Sequence, residues 1–235
     1  MGYTMDTKKL PRISLVDQVY KDIKQNILTG KLPPNTKLIV RALCEQYDIS
    51  DTPLKQALNR LISEGLVEAQ PRKGMRVKQM TESDIHQSVE ARLMIELYAA
   101  HTAIESIRKG TDLLKRLEKN ILENEALISQ AGDLGLYSDL AQREQDVSQR
   151  FHMLIVGSTN NKFIIETYCN IVHHTYIYYQ SGFNKTVQAQ SSVEEHKRIL
   201  ECLRALDLDN LSKAIRQHLQ IRENAATNAM TYGKG

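Results

Sequence analysis

The chain of 235 residues is 41% hydrophobic and 25% charged, the composition of a globular protein with one or two domains and too short for a large multidomain enzyme. No run of about 18 uncharged apolar residues marks a membrane span, the opening MGYTMDTKKL has no apolar stretch of a secretory signal, and Cys44, Cys169 and Cys202 form no C-x-x-C pair, so a cytoplasmic protein without a disulfide framework or thiolate zinc site is expected. The net charge of +3 is uneven: residues 1–80 hold 14 of the 31 Lys and Arg against 8 of the 28 Asp and Glu, which suggests that the first third meets a polyanion and the rest does something else.

Taken in chain order, Ser14 precedes Leu15, Val19, Ile23 and Ile27, with Asp17 three residues after the cap and Gly30 past the end, which predicts a capped amphipathic helix. After Pro33-Pro34, residues 38–47 predict a short second helix. A break at 48–51 leads to a third, capped by Ser50 or Asp51, with Pro53 in its first turn, Leu54, Leu58 and Leu61 on one face, and Gly65 at its end. Residues 66–69 and 75–78 predict two strands around a turn containing Pro71 and Gly74. Three helices and a basic hairpin describe a winged helix-turn-helix over residues 1–80. In such a unit the third helix enters the major groove and the wing lies along the backbone. The candidate DNA contacts are Arg41, Ser50, Thr52, Lys55, Arg60, Arg72, Lys73, Gly74 and Arg76.

From Thr81 the pattern is helical throughout. Thr81 with Asp84 opens a helix to about residue 107, Thr111 caps another to about 132, and four more span about 137–158, 162–180, 192–206 and 211–230. The polar stretch 181–190 reads as a loop. Residues 81–235 are therefore expected to form an antiparallel bundle of about six helices, giving a mainly α chain of two domains.

The run LIVRALCEQYDISDTPLKQALNRLISEGLVEAQPRKGMRV (38–78) resembles the DNA-binding domain of GntR-family bacterial transcription regulators. The second half is similar to the all-helical FCD-type ligand domain of the FadR-like branch, through EARLMIE (90–96), FHMLIVGSTNNKFI (151–164), EEHKRIL (194–200) and IRQHLQ (215–220). The resemblance implies a non-enzymatic regulator acting as a homodimer on palindromic double-stranded operator DNA. A small carboxylic acid in the helical domain would modulate its affinity, often with a divalent metal such as Zn or Ni. It also implies metal ligands at His152, His196 and His218 and points Arg92 into the effector cavity; Ser148, and His174 and Tyr178 on the HHTYIYY helix, are further candidate effector contacts, although an aromatic stripe at helical spacing is more often core. Two positions depart from the family pattern. Asp51 stands where Arg is usual and is read mainly as a helix cap. Ser148 stands where the metal-binding Asp is expected, and Asp146 is a poor substitute because six residues turn it about 240° around the helix from His152.

Apart from the resemblance, each of the three histidines falls on an apolar stripe. One inward histidine is more often a hydrogen-bonded core residue than a ligand, but three on different helices of one bundle point to a site. Arg92 and Glu96, one turn apart, suit either an ordinary surface pair or a carboxylate clamp. Two other readings of the chain stay open: a constitutive DNA-binding protein whose helical domain only dimerises, and, more remotely, a three-histidine metalloenzyme.

Overall fold

The computed structural model describes residues 14–131, 138–179 and 185–232, apart from the side chains of 131, 138, 139, 141, 173–179, 185–187 and 229–232. The chain divides into two compact units, Met1–Gln79 and Met80–Gly235, each with its own core.

In the first unit, α1 (Leu15–Leu28) starts where the Ser14 hydroxyl accepts the Asp17 backbone N–H at 3.1 Å. Val19, Ile23 and Ile27, four residues apart, face inward. They pack on α3 (Asp51–Ser63), which returns Leu54, Ala57, Leu58 and Leu61. The short α2 (Val40–Tyr47) packs on α3, and the sheet β1 (Lys37–Leu38), β2 (Val67–Gln70) and β3 (Gly74–Val77) has the antiparallel order β1-β3-β2. Leu38, Leu66, Val67 and Val77 complete this core. Gly65 ends α3 at φ +69°, and the hairpin turns through Arg72 at +63° and Gly74 at +88°, left-handed values that favour glycine. The unit is a winged helix-turn-helix.

Two expectations for this unit need correction. Lys37 and Leu38 are a strand, Leu38 pairing with Met75, and α2 starts only at Val40. A two-residue strand has no period to read, and the run Leu38-Ile39-Val40 suits helix and strand alike. Asp51 is not the cap. It is the first residue of α3, with its carboxylate 2.6 Å from Lys55 Nζ one turn on, and Ser50 is the N-cap residue without a side-chain capping bond.

The second unit comprises, among the described residues, α4 (Glu82–Arg108), α5 (Leu113–Ala131), α6 (Ser138–Gly157), α7 (Lys162–Tyr179), α8 (Lys185–Ala205) and α9 (Leu208–Tyr232). A reciprocal capping box of Thr81 and Asp84 opens α4. This helix packs on α6, α7 and α9, while α5 packs on α6 and α8, and α8 on α9. The core includes Ile85, Ala99, Ala103, Leu117, Phe151, Ile155, Ile199, Leu203, Leu211 and Ile215. Residues 185–190, expected in a loop, are helical: Gln and Ala are good helix formers, and Ala189 shares a buried face with Ser192, Val193 and His196. Residues 181–184 lie outside the described residues. The Thr111 hydroxyl meets Ser106 rather than capping α5, whose first bond runs from Arg116 N–H to the Asp112 carbonyl. No helix among the described residues is long and apolar enough to cross a membrane.

Candidate metal centre

Three helices of the second unit each bring one histidine to the same place. On α6, Glu144, Ser148 and His152 follow one another at four-residue spacing, so they share a face. His196 comes from α8 and His218 from α9. All three imidazoles are at least 98% buried, and one ligand nitrogen from each lies within 4.8 Å of the others. The Nε2 atoms of His152 and His196 are 3.0 Å apart. Phe151 stacks on the His196 ring at 4.3 Å between centroids and meets His152 edge-on, which fixes both ring planes.

Two buried glutamates set the proton positions. Glu96 Oε2 is 3.0 Å from His152 Nδ1, and Glu195 Oε2 is 2.7 Å from His218 Nδ1. A carboxylate only accepts, so both Nδ1 atoms carry the proton and both Nε2 lone pairs face the cluster. His196 Nε2–H then donates to His152 Nε2. Burial lowers the pKa of all three histidines, and for His196 and His218 the neighbouring charges, His152 first, push it further down. The three rings are therefore neutral at neutral pH, the state in which imidazole binds a metal.

Glu96 and Glu195 are held differently. Glu96 Oε1 accepts from Arg92 Nε at 2.6 Å and from the Tyr168 hydroxyl at 2.7 Å. Burial alone would raise its pKa, but His152, Arg92 and the two hydrogen bonds outweigh that and hold it well below the ordinary carboxylate range. Glu195 Oε1 accepts from Ser191 at 2.5 Å and Arg222 Nη2 at 3.1 Å, and Arg222 also reaches the Gln188 carbonyl. Arg92 and Glu96 are 2% and 1% exposed, so the surface-pair reading of them is wrong. The partnership of Glu195 with His218 was missed in the sequence. A glutamate directly beside a candidate ligand, in EEH, was the available signal, but which oxygen meets which ring depends on the crossing of α8 and α9.

A divalent ion fits this donor set: three neutral nitrogens suit zinc, nickel, cobalt or copper, and two of them have the carboxylate backing typical of histidine ligands. Ser148 is half-buried one turn before His152 and brings a hydroxyl rather than a carboxylate. Asp146 is exposed and accepts from Gln142, away from the cluster. The side chains of His174 and Tyr178 lie outside the described residues.

In the first unit, Arg41, Ser50, Thr52, Lys55, Arg72, Lys73 and Gly74 are all exposed. Arg41 pairs with Glu45, and half-buried Arg76 pairs across the hairpin with Glu68. Arg60 turns back to α1, 2.6 Å from Asp17 and over the Tyr20 ring at 3.9 Å.

Residues 15–77 match the family described as bacterial regulatory proteins, gntR family, and residues 87–221 match the FCD domain. The chain is 24% identical to the HTH-type transcriptional regulator McbR of Escherichia coli over 220 residues, covering 91% of this chain and 93% of McbR. It is 27% identical to the HTH-type transcriptional regulator LutR of Bacillus subtilis, covering 82% of this chain and 92% of LutR. Among solved structures, E. coli McbR/YncC superposes with a TM-score of 0.72 at 23% identity, covering 92% and 99% of the two chains. With both matches lying in chain order on the winged and helical units, the chain belongs to the GntR family of transcriptional regulators and carries an FCD domain as its helical part.

Proposed function

We propose that this regulator binds a palindromic operator as a homodimer and that a small carboxylic acid, recognised at a metal held by His152, His196 and His218, changes its affinity for DNA. The convergence of three buried neutral histidines, two of them oriented by Glu96 and Glu195, is the observation that carries this reading. When bound, the ion supplies a positive charge and open coordination positions for a carboxylate. Ser148 leaves one of those positions without a protein carboxylate. On the DNA side, Ser50, Thr52 and Lys55 lie in the first turns of α3, where a helix-turn-helix reads bases, with Arg41 alongside and Arg72, Lys73, Gly74 and Arg76 in the wing. Arg60, occupied by Asp17 and Tyr20, serves the packing of α1 on α3 instead.

The test is a thermal-shift screen of the full chain with Zn²⁺ or Ni²⁺, with chelator, and with small carboxylic acids. A ligand at about 100 times its Kd stabilises the fold by about 2.7 kcal/mol. A rise in Tm with metal, lost on chelation and enlarged by an acid, is expected. No response to any metal or acid overturns the sensor reading and favours a constitutive DNA-binding protein with a dimerising helical domain, the alternative that Ser148 supports. On operator DNA, Arg41→Ala and Lys73→Ala each remove a cation from the phosphate backbone: affinity should fall for all sequences, and the salt slope should drop by about one for each charge removed. Unchanged affinity in both variants would place the DNA face elsewhere.

A further inference from the structure

The longest helix of the second unit, α4, buries one side and leaves the other bare in a regular way. Ile85, Val89, Arg92, Ala99 and Ala103 turn inward. On the opposite side, starting at Gln87, the helix presents Ala91, Met94, Tyr98, His101, Glu105 and Arg108 at alternate spacings of four and three residues, and all but half-buried Ala91 are exposed. That is a 3.5-residue repeat, the seam along which two helices pack. Its middle is apolar: Met94 is 69% and Tyr98 55% exposed. Phe163 on α7, which packs on α4, extends the apolar part. Thr102 is bonded to Ser158 at 2.9 Å and Glu96 to Tyr168 at 2.7 Å, so the chain between 158 and 168 runs back along α4 past residues 102 to 96, and exposed Phe163 lies beside that stretch. Single exposed apolar side chains are ordinary, but three on adjoining helices at one level mark a surface that another molecule covers.

The order of charges along α4 says what that molecule is. Asp84 and Glu90 lie in its first half, and His101, Glu105 and Arg108 follow in its second. Two copies of α4 laid parallel would set each residue of the seam against itself, Glu105 on Glu105 and Arg108 on Arg108. Laid antiparallel about an axis level with Glu96, they pair Met94 of one copy with Tyr98 of the other, Ala91 with His101, Gln87 with Glu105 and Asp84 with Arg108, each pair occurring twice. Such a contact closes by two-fold symmetry. It sets a thioether against an aromatic ring, gives an amide N–H to a carboxylate and brings opposite charges together at both ends. The 27 residues of α4 span about 40 Å and the 18 of α7 about 27 Å, and at about 10 Å width each the two faces come near the roughly 800 Å² per partner of a stable interface. Resting on the homodimer reading above, we propose that the outer face of α4, widened by Phe163, is the surface on which the helical units of two copies pair, antiparallel and about that axis.

Sedimentation velocity of the full chain and cysteine cross-linking test the pairing. The parent chain should be a dimer. Met94→Glu and Tyr98→Glu each put a charge into the middle of the seam and should weaken dimerisation by at least about 30-fold, the effect of losing a hot-spot residue. Both positions are exposed, so the far-UV circular dichroism of each variant should stay that of the parent. Cross-linking checks the direction. A mixture of Met94→Cys chains with Tyr98→Cys chains should form an oxidised dimer above the background of the parent's own three cysteines, whereas neither variant alone should. If the parent is a dimer and both glutamate variants dimerise as tightly, or if the mixture does not cross-link, or if either cysteine variant cross-links by itself, the pairing is overturned and the homodimer reading stands. If the parent is a monomer at every concentration, the homodimer reading fails, and the surface falls with it.

Discussion

Glu96 joins three helices through one buried carboxylate, bonded to Arg92 on its own helix, Tyr168 on α7 and His152 on α6. Removing one partner of a buried ion pair leaves the other charge uncompensated, at about 3–5 kcal/mol, whereas a lost neutral hydrogen bond costs about 1 kcal/mol. Glu96→Gln should therefore destabilise several times more than Tyr168→Phe in urea unfolding. It should also weaken Zn²⁺ binding by about 10- to 100-fold, because Gln offers one accepting oxygen in place of two and Arg92 and Tyr168 compete with His152 Nδ1–H for it. Equal stability costs for the two variants would show that the Arg92 charge is satisfied elsewhere. Glu144 gives a prediction of opposite sign. Its pKa is pushed up to about 7 in the fold from an ordinary 4.5, by burial against which Asn124 and Arg222 only partly compensate. The folded state therefore holds the extra proton between those values, and stability falls as pH rises from 4.5 to 7, by about 3 kcal/mol in all. The histidines run the other way: their pKa values lie below 6.5 in the fold, so stability is lost as pH drops below 6.5. Comparison with Glu144→Gln separates the two. The variant should match the parent near pH 5 and exceed it at pH 8, and a Tm difference that does not change with pH would refute the buried carboxyl.

At the scale of elements, local signals decide which features the sequence betrays. The caps of α1 and α4 were legible because Ser14 and Thr81 each stand three residues before an Asp, and the structure makes those bonds. The cap of α4 is reciprocal, so Thr81→Ala should cost about 1 kcal/mol by denaturant midpoint. A neutral result would mean that the first turn is held by packing alone. The histidine cluster was legible because each ring sits on an apolar stripe of a well-marked helix. The strand β1 was not, since its identity comes from pairing with β3, about 37 residues later in the chain. The role of Asp51 was hidden for a related reason: an aspartate before Pro53 looks like a cap, and only the helix start one residue earlier turns it into a partner for Lys55. That pairing has a consequence for DNA reading. Lys55 and Asp51 form a donor and an acceptor held together on the face proposed above to meet base edges, the set that fits guanine O6 and cytosine N4 of a G·C pair. In selection from random operators, Asp51→Ala should relax preference at one position per half-site by about 1–3 kcal/mol while other positions hold. An unchanged preference would confine Asp51 to neutralising Lys55.

The whole molecule repeats the charge division already visible in the sequence, with the basic part forming the winged unit and the histidines lying wholly in the helical one. Each unit buries its own apolar side chains, and every residue proposed to hold the metal or to back its ligands lies in the stretch from Arg92 to Arg222. All of that set belongs to the helical unit. A fragment of residues 80–235 is therefore expected to fold with a cooperative transition and to bind Zn²⁺ within about threefold of the full chain's Kd by calorimetric titration. His196→Ala should abolish binding in both, because it removes one of only three candidate protein ligands. A fragment that folds but binds Zn²⁺ more than tenfold more weakly would mean that the winged unit organises the centre, and the site would then have to be sought in the intact chain alone. Equal affinity would instead make the helical unit a self-sufficient sensor, so that coupling to DNA has to pass through a change in that unit which the acid favours in one of its two states.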